Sequence, residues 1–306
     1  MTLFAPISEG RDDCKAGEAP ARSRASLSRV NTTAASAPSD APLASTRIGE
    51  GPRRVAFLHG LMGRGRNFTG PAKELGDDFT VELIDLPDHG ASPWTDRVDY
   101  REIADRVAAH LRAGLAADGP VHLLGHSMGG KVAMVLALRH PDLVDRLIVE
   151  DISPRVSPQA TDEFVHLLGT MLRMDLDAYD SRAEADAAMA EHVHDARVRG
   201  FLLQNLRRTA GHFAWQPNVA MLFEHLREIG SFPDPVVPED PERVFDHPVL
   251  WLAGAESDYV QDEDVPRMKE LFPRVVRVTV RDAGHWLHAD QPEAFVSAVR
   301  TFLTAD

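Results

Sequence analysis

Apolar residues fall into short, nearly continuous blocks along this chain, spaced by longer amphipathic stretches. Residues 54–58, 79–84, 121–124, 146–150, 249–252 and 275–280 read as strands. Most are apolar at consecutive rather than alternate positions, the pattern of strands buried on both faces. Between them, residues 67–75, 130–139, 265–271 and 292–303 suit helices, and 100–117 carries Ile103, Val107 and Leu111 at helical spacing. Strand and helix in alternation predict an α/β fold, a mostly parallel central sheet with helices on both faces. From residue 153 to 242 the alternation stops, and 161–173, 183–193, 198–208 and 219–228 all read as helices. A helical insertion after a parallel strand lands over the carboxyl ends of the sheet, so 153–242 is expected to be a helical lid on a core of 43–152 and 243–306.

Residues 1–42 differ from the rest. Ala, Ser, Pro, Arg and Thr dominate and no periodic apolar face is present, which predicts a disordered extension. The Arg/Ser-rich part from 21 to 30 has the flavour of an organelle transit peptide, but Glu9, Asp12, Asp13 and Glu18 oppose it. A cytoplasmic protein is expected, with organelle targeting as the alternative.

Composition narrows the function. A net charge of −14 in 306 residues disfavours nucleic acid or an anionic membrane as partner. The single cysteine, Cys14, permits no intrachain disulfide. No apolar run reaches the length of a transmembrane helix. A monomer or homodimer acting on a neutral or apolar small molecule, without cofactor or metal, is the expectation.

The chemistry centres on Gly125-His126-Ser127-Met128-Gly129. An apolar strand precedes it and a helix-competent segment follows, the context that makes Gly-x-Ser-x-Gly a nucleophile elbow. Serine is a weak nucleophile and needs a base, and the base needs an orienting group. His285, in Asp282-Ala283-Gly284-His285-Trp286 just past the last strand, is the candidate base. Two carboxylates compete for the third role: Asp258, after the strand that follows the lid, and Asp151, at the end of the strand that precedes it. Either could reach His285. The oxyanion hole is expected from the N–H groups of Met128 and of Leu61, which follows His59-Gly60. His126 is expected to pack or hydrogen-bond beneath the elbow. His192-Val193-His194-Asp195 looks metal-like, but i and i+2 on a helix diverge. Gly60-Leu61-Met62-Gly63-Arg64-Gly65 lacks the Lys-Ser/Thr ending of a phosphate loop.

Taken together, His59-Gly60-Leu61-Met62-Gly63, Asp85-Leu86-Pro87-Asp88-His89-Gly90-Ala91-Ser92, Gly125-His126-Ser127-Met128-Gly129-Gly130-Lys131 and Ala283-Gly284-His285-Trp286-Leu287-His288-Ala289 resemble the α/β-hydrolase superfamily over residues 43–306. Asp151-Ile152-Ser153-Pro154 and Phe201-Leu202-Leu203-Gln204-Asn205-Leu206 are similar to the YbfF-type small esterases and their eukaryotic α/β-hydrolase-domain relatives. The resemblance implies an α/β-hydrolase fold with its lid after strand 6, a Ser-His-Asp triad and cleavage of carboxylic esters or thioesters of small to medium acyl chain. It places the acid after the sixth strand, on Asp151, while Asp258 occupies the general superfamily position. The same triad also serves C–C hydrolases, perhydrolases and acyltransferases, and some receptors of this fold close a lid on a slowly hydrolysed ligand.

Overall fold

Period-two alternation decides which side of the sheet each strand residue serves. In the computed structural model, which describes residues 41–156 and 158–305, Val55 and Phe57 enter one buried cluster while Ala56 and Leu58 enter the other. Leu123 and Leu124 divide in the same way, as do Trp251 and its neighbours Leu250 and Leu252. Both faces are therefore covered, which is why these strands read as continuous apolar runs.

The sheet has seven strands. Along the chain they are β1 (Ser45–Ile48), β2 (Arg53–Leu58), β3 (Phe79–Ile84), β4 (Val121–His126) and β5 (Val144–Glu150), then β8 (Val249–Gly254) and β9 (Val275–Val280). Their spatial order is β1-β3-β2-β4-β5-β8-β9. All neighbours are parallel except β1, which pairs antiparallel with β3. Helices α2 (Tyr100–Ala113), α3 (Met128–Arg139) and α9 (Val265–Leu271) pack on one face. The other face holds α1 (Thr69–Leu75), α10 (Leu287–Asp290) and α11 (Pro292–Thr304). The expected α/β architecture is present. β1 was not predicted: Ser45, Thr46 and Arg47 are polar and exposed and only Ile48 is apolar, so pairing with β3 is what makes them a strand.

The insertion between β5 and β8 carries α4 (Pro158–Arg173), α5 (Arg182–Ala190), α6 (Ala196–Leu203), α7 (Val219–Glu224) and α8 (Leu226–Gly230). It is not wholly helical. The helix expected over 198–208 ends at Leu203, and β6 (Leu206–Thr209) and β7 (His212–Trp215) form an antiparallel hairpin. Ala210 and Gly211 at its tip have φ of 51° and 92°, the handedness that lets a two-residue turn match strand twist. The helix expected over 219–228 breaks at His225. His192 and His194 lie in a turn rather than on a helix, and Asp195 caps α6 by accepting from the Arg197 and Val198 N–H groups. The insertion follows the fifth strand of this chain rather than a sixth, because β1 alone precedes the parallel series among the described residues. The predicted extension 1–42 lies almost wholly outside the described residues. Among those described, no helix is long and apolar enough to cross a membrane.

Candidate active site

β4 passes into α3 through Ser127, whose backbone sits at φ 53°, ψ −121°, a region costly for a residue with a side chain. The crossing is tight enough to demand glycine around it. A Cβ on Gly125 would lie 2.2 Å from the Gly129 carbonyl oxygen, and one on Gly129 would lie 2.4 Å from that of His59. The Ser127 N–H donates to the Glu150 carbonyl at 3.0 Å, fixing the turn against the end of β5. Ser127 thus caps the amino end of α3, where the helix dipole favours negative charge.

His285 lies in the loop between β9 and α10, and its Nδ1–H donates to Asp151 Oδ2 at 2.8 Å. That tautomer leaves the Nε2 lone pair available as a base. Asp151 is fully buried and sits at φ 49° directly after β5. Its Oδ1 accepts the Gly254 N–H at 2.9 Å and its Oδ2 also accepts the Ser257 hydroxyl. Every carboxylate oxygen is therefore spoken for, as burial of a charge requires. Tyr259 stacks on the His285 ring, 3.8 Å between centroids and 18° between planes.

Asp258 does not join this group. Its side chain is exposed, and among the described residues only its main-chain carbonyl is engaged, by Gln261 Nε2 at 3.0 Å and by Arg155. The reason is local. The Asp151 N–H donates to the Leu252 carbonyl, the Glu256 N–H donates to the Ala283 carbonyl, and a Cβ on Gly254 would meet the Gly284 carbonyl at 2.3 Å. β5, β8 and the His285 loop converge at Asp151 and Gly254, and the loop after β8 has turned outward by residue 258.

Leu61 and Met128 flank Ser127 in the wall of a narrow cavity. Neither N–H has a backbone acceptor outside regular elements among the described residues. The Leu61 loop is held by two histidines. The Leu86 N–H donates to His59 Nε2 at 3.0 Å while His59 Nδ1–H donates to the Gly60 carbonyl. The Met62 N–H donates to His89 Nε2 at 3.1 Å while His89 Nδ1–H donates to the Pro87 carbonyl. Both imidazoles accept a main-chain N–H and so are neutral. Burial, reinforced by His89, lowers the His59 pKa to about 3, and burial also lowers that of His89. This accounts for the paired motifs His59-Gly60 and Asp88-His89 in the sequence.

A family profile described as "Alpha/beta hydrolase family" matches residues 55–298. The chain belongs to this family. The mouse sn-1-specific diacylglycerol lipase ABHD11 is 36% identical over 81% of this chain and 80% of its own length. Esterase YbfF of Escherichia coli is 29% identical over 81% of this chain and 92% of its own. Among solved structures, a marine microorganism esterase superposes with a TM-score of 0.80 at 33% identity, covering 85% of this chain and 99% of that one. This α/β hydrolase is accordingly of the esterase/lipase type, carboxylesterase-like, as the motifs implied.

Beneath the site the hydrolase holds its histidine loop at two more points. His126 Nε2–H donates to the His285 carbonyl at 2.8 Å, so His126 does hydrogen-bond under the elbow. The fully buried Glu150 accepts both the N–H and the Nδ1–H of His288, at 3.2 and 2.8 Å. His126, Glu150 and His288 bring ligand-competent atoms within 4.8 Å of one another; both His288 bonds fall on Glu150 Oε1, and the buried Glu150 Oε2 has no hydrogen-bond partner among the described residues. The expectation from sequence missed Glu150, Ser257, Tyr259 and His288. Of these only His288 carried a signal, in Gly284-His285-Trp286-Leu287-His288.

Ser127 and His285 both line a cavity of about 1080 Å³ between the sheet end and the insertion. The insertion is bolted to the loops of this hydrolase by polar side chains. Asn205 Nδ2 donates to the Met62 carbonyl at 2.7 Å, and Asn67 Nδ2 donates to Gln204 Oε1 at 2.8 Å. Asn218 Nδ2 reaches Asp88 Oδ1 at 3.1 Å. Lys131, buried on α3, donates to the carbonyls of Arg155, Gly230 and Ser231 at 3.1, 2.8 and 2.7 Å, and burial lowers its pKa to about 7. Trp94 Nε1–H donates to the Gln216 carbonyl at 3.3 Å, and Trp286 packs on Phe201 at 5.3 Å.

Proposed function

We propose that this protein is a serine esterase that cleaves carboxylic esters through an acyl-enzyme, with Ser127 as nucleophile, His285 as base and Asp151 as the orienting acid. The observation that carries the reading is the buried Asp151–His285 hydrogen bond at 2.8 Å beside a serine on a positive-φ turn in the wall of the same cavity. In the reaction, His285 Nε2 takes the Ser127 proton as Oγ attacks the ester carbonyl carbon. The carbonyl oxygen becomes an anion and accepts hydrogen bonds from the Leu61 and Met128 N–H groups, which lower the barrier by stabilising that charge. Collapse of the tetrahedral intermediate breaks the ester C–O bond, and the leaving oxygen takes the proton from His285. Water then gives a proton to His285 and attacks the acyl carbon. The acid departs and Ser127 recovers its proton. Asp151 stays ionised throughout and stabilises the imidazolium formed in each half-reaction.

Residues 153–242 act as the lid that covers the substrate. The mouse relative is named a diacylglycerol lipase, an activity that fits an ester-cleaving site. Turnover of p-nitrophenyl acetate, with covalent labelling of Ser127 by a fluorophosphonate, tests the reading. Wild type is expected to do both and Ser127→Ala neither. Equal activity of the two proteins would refute it.

A further inference from the structure

Two cavities meet at Ser127, and they are very unequal. The larger, about 1080 Å³, has His285, Trp286 and Phe201 in its wall. The smaller has about 30 Å³ of free space and is walled by Leu61, Met128, Ile152, Leu226 and Ile229. Lys131 also stands in that wall. Its ammonium is fixed by the three carbonyls named above, all of them on the insertion, so this end of the small cavity is braced.

A carbonyl whose oxygen rests on the Leu61 and Met128 N–H groups has two substituents to place. The leaving oxygen must take a proton from His285 and so lies on the side His285 lines. His285 lines the large cavity and is not part of the small one. The acyl chain is left with the small, apolar cavity. Charge narrows the other half of the substrate. Glu163, Glu256, Asp282 and Asp290 face the large cavity against one guanidinium, Arg197, which is itself paired with Asp290 at 2.5 Å. A polyanionic leaving group would meet an acidic wall.

We infer that the small cavity is the acyl site, so that the substrates are esters of short acids, about two to four carbons long, with large, uncharged alcohols. The inference rests on the serine esterase reading above and specifies which half of the ester goes where.

The experiment uses the full chain. kcat/KM is measured for p-nitrophenyl esters from C2 to C12, and for ethyl acetate, 1-naphthyl acetate and acetyl-CoA. The C2 to C4 esters are expected to exceed C8 by about tenfold or more, since each methylene that does not fit carries a cost of that order. 1-Naphthyl acetate is expected to exceed both ethyl acetate and acetyl-CoA by a similar factor. Ile229→Ala and Leu226→Ala, each checked for folding by its melting curve, enlarge the small cavity from the insertion side and are expected to move the optimum to longer acids. An optimum at C8 or beyond in wild type overturns the acyl assignment while leaving the esterase reading intact, and so does an unchanged profile in the folded variants. Acetyl-CoA turned over as well as 1-naphthyl acetate overturns the uncharged-alcohol part. Absence of any Ser127-dependent turnover, with no fluorophosphonate labelling, overturns the esterase reading and this inference with it.

Discussion

The strand-end loops and the insertion meet across one cavity, yet they are held by different means. Ser127, Asp151 and His285 stand on turns fixed by the sheet's own backbone. The Ser127 N–H bonds the end of β5, the Asp151 N–H bonds β8, and Gly254 and Gly284 touch. The insertion shares a buried apolar cluster with the core and one main-chain bond, from the Asn218 N–H to the Asp88 carbonyl. Beyond these it is fixed largely by polar side chains: Asn205, Asn218 and Lys131 reach main-chain carbonyls or Asp88 across the gap. The tyrosine hydroxyl of Tyr100, bonded to the Ile229 carbonyl at 2.6 Å, is of the same kind. The proposed triad is thus over-determined by geometry, while the insertion can be reshaped one side chain at a time.

Removing the proposed nucleophile should break the first region most completely. Ser127→Ala is expected to lower kcat by about 10⁴-fold or more, with the melting temperature close to wild type. Next in size is the contrast between the two acids. Asp151→Asn is expected to cost about 10²- to 10⁴-fold in kcat, since the amide cannot orient the imidazole or stabilise its charge. Asp258→Asn, exposed and apart from His285, is expected to stay within about twofold of wild type. Comparable losses in the two would sink the assignment of the acid.

A smaller effect is expected across the gap. Asn205→Ala removes the donor to the Met62 carbonyl beside Leu61, and should cost about 1–3 kcal/mol of stability by denaturant titration. Its activity is expected to suffer far less than that of Asp151→Asn, which distinguishes a tie to the cover from a part of the chemistry. The mildest test is titration. His59 takes a proton near pH 3 in the folded chain and near 6.5 in the unfolded one. Between those values the unfolded chain holds the extra proton, so stability falls as the pH falls. In His59→Asn the dependence of stability on pH between about 3 and 6.5 should be shallower by close to one proton, and an unchanged slope would count against a neutral His59.

The same contrast governs what could be read from the sequence. Strand ends are announced by apolar blocks that stop at Gly, His or Asp, so Ser127, His285 and the alternation of strand and helix were legible. The choice between Asp151 and Asp258 was not, because both follow buried strands and only the outward turn of the loop after β8 separates them. From that same loop Ser257 bonds Asp151 and Tyr259 stacks on His285, contacts of long sequence separation that lie beyond any local pattern. In the insertion, the hairpin of β6 and β7 was hidden because its four-residue strands continue a helical pattern, and only the Ala210-Gly211 turn marks it. Gln204-Asn205 stands in a recognisable motif, but its role lies in the Asn205 bond to the Met62 carbonyl, a contact far apart in sequence.

One consequence of the seam between core and insertion is optical. Of the four tryptophans, Trp251 is buried in β8. Trp94 and Trp286 are half-buried on the core side and touch Gln216 and Phe201 of the insertion, while Trp215 bonds the Met171 carbonyl within it. Displacing the cover would hydrate Trp94 and Trp286 and leave Trp251 dark to the change. The protein therefore carries its own fluorescent gauge of how far the two regions stand apart, with an internal reference in the sheet.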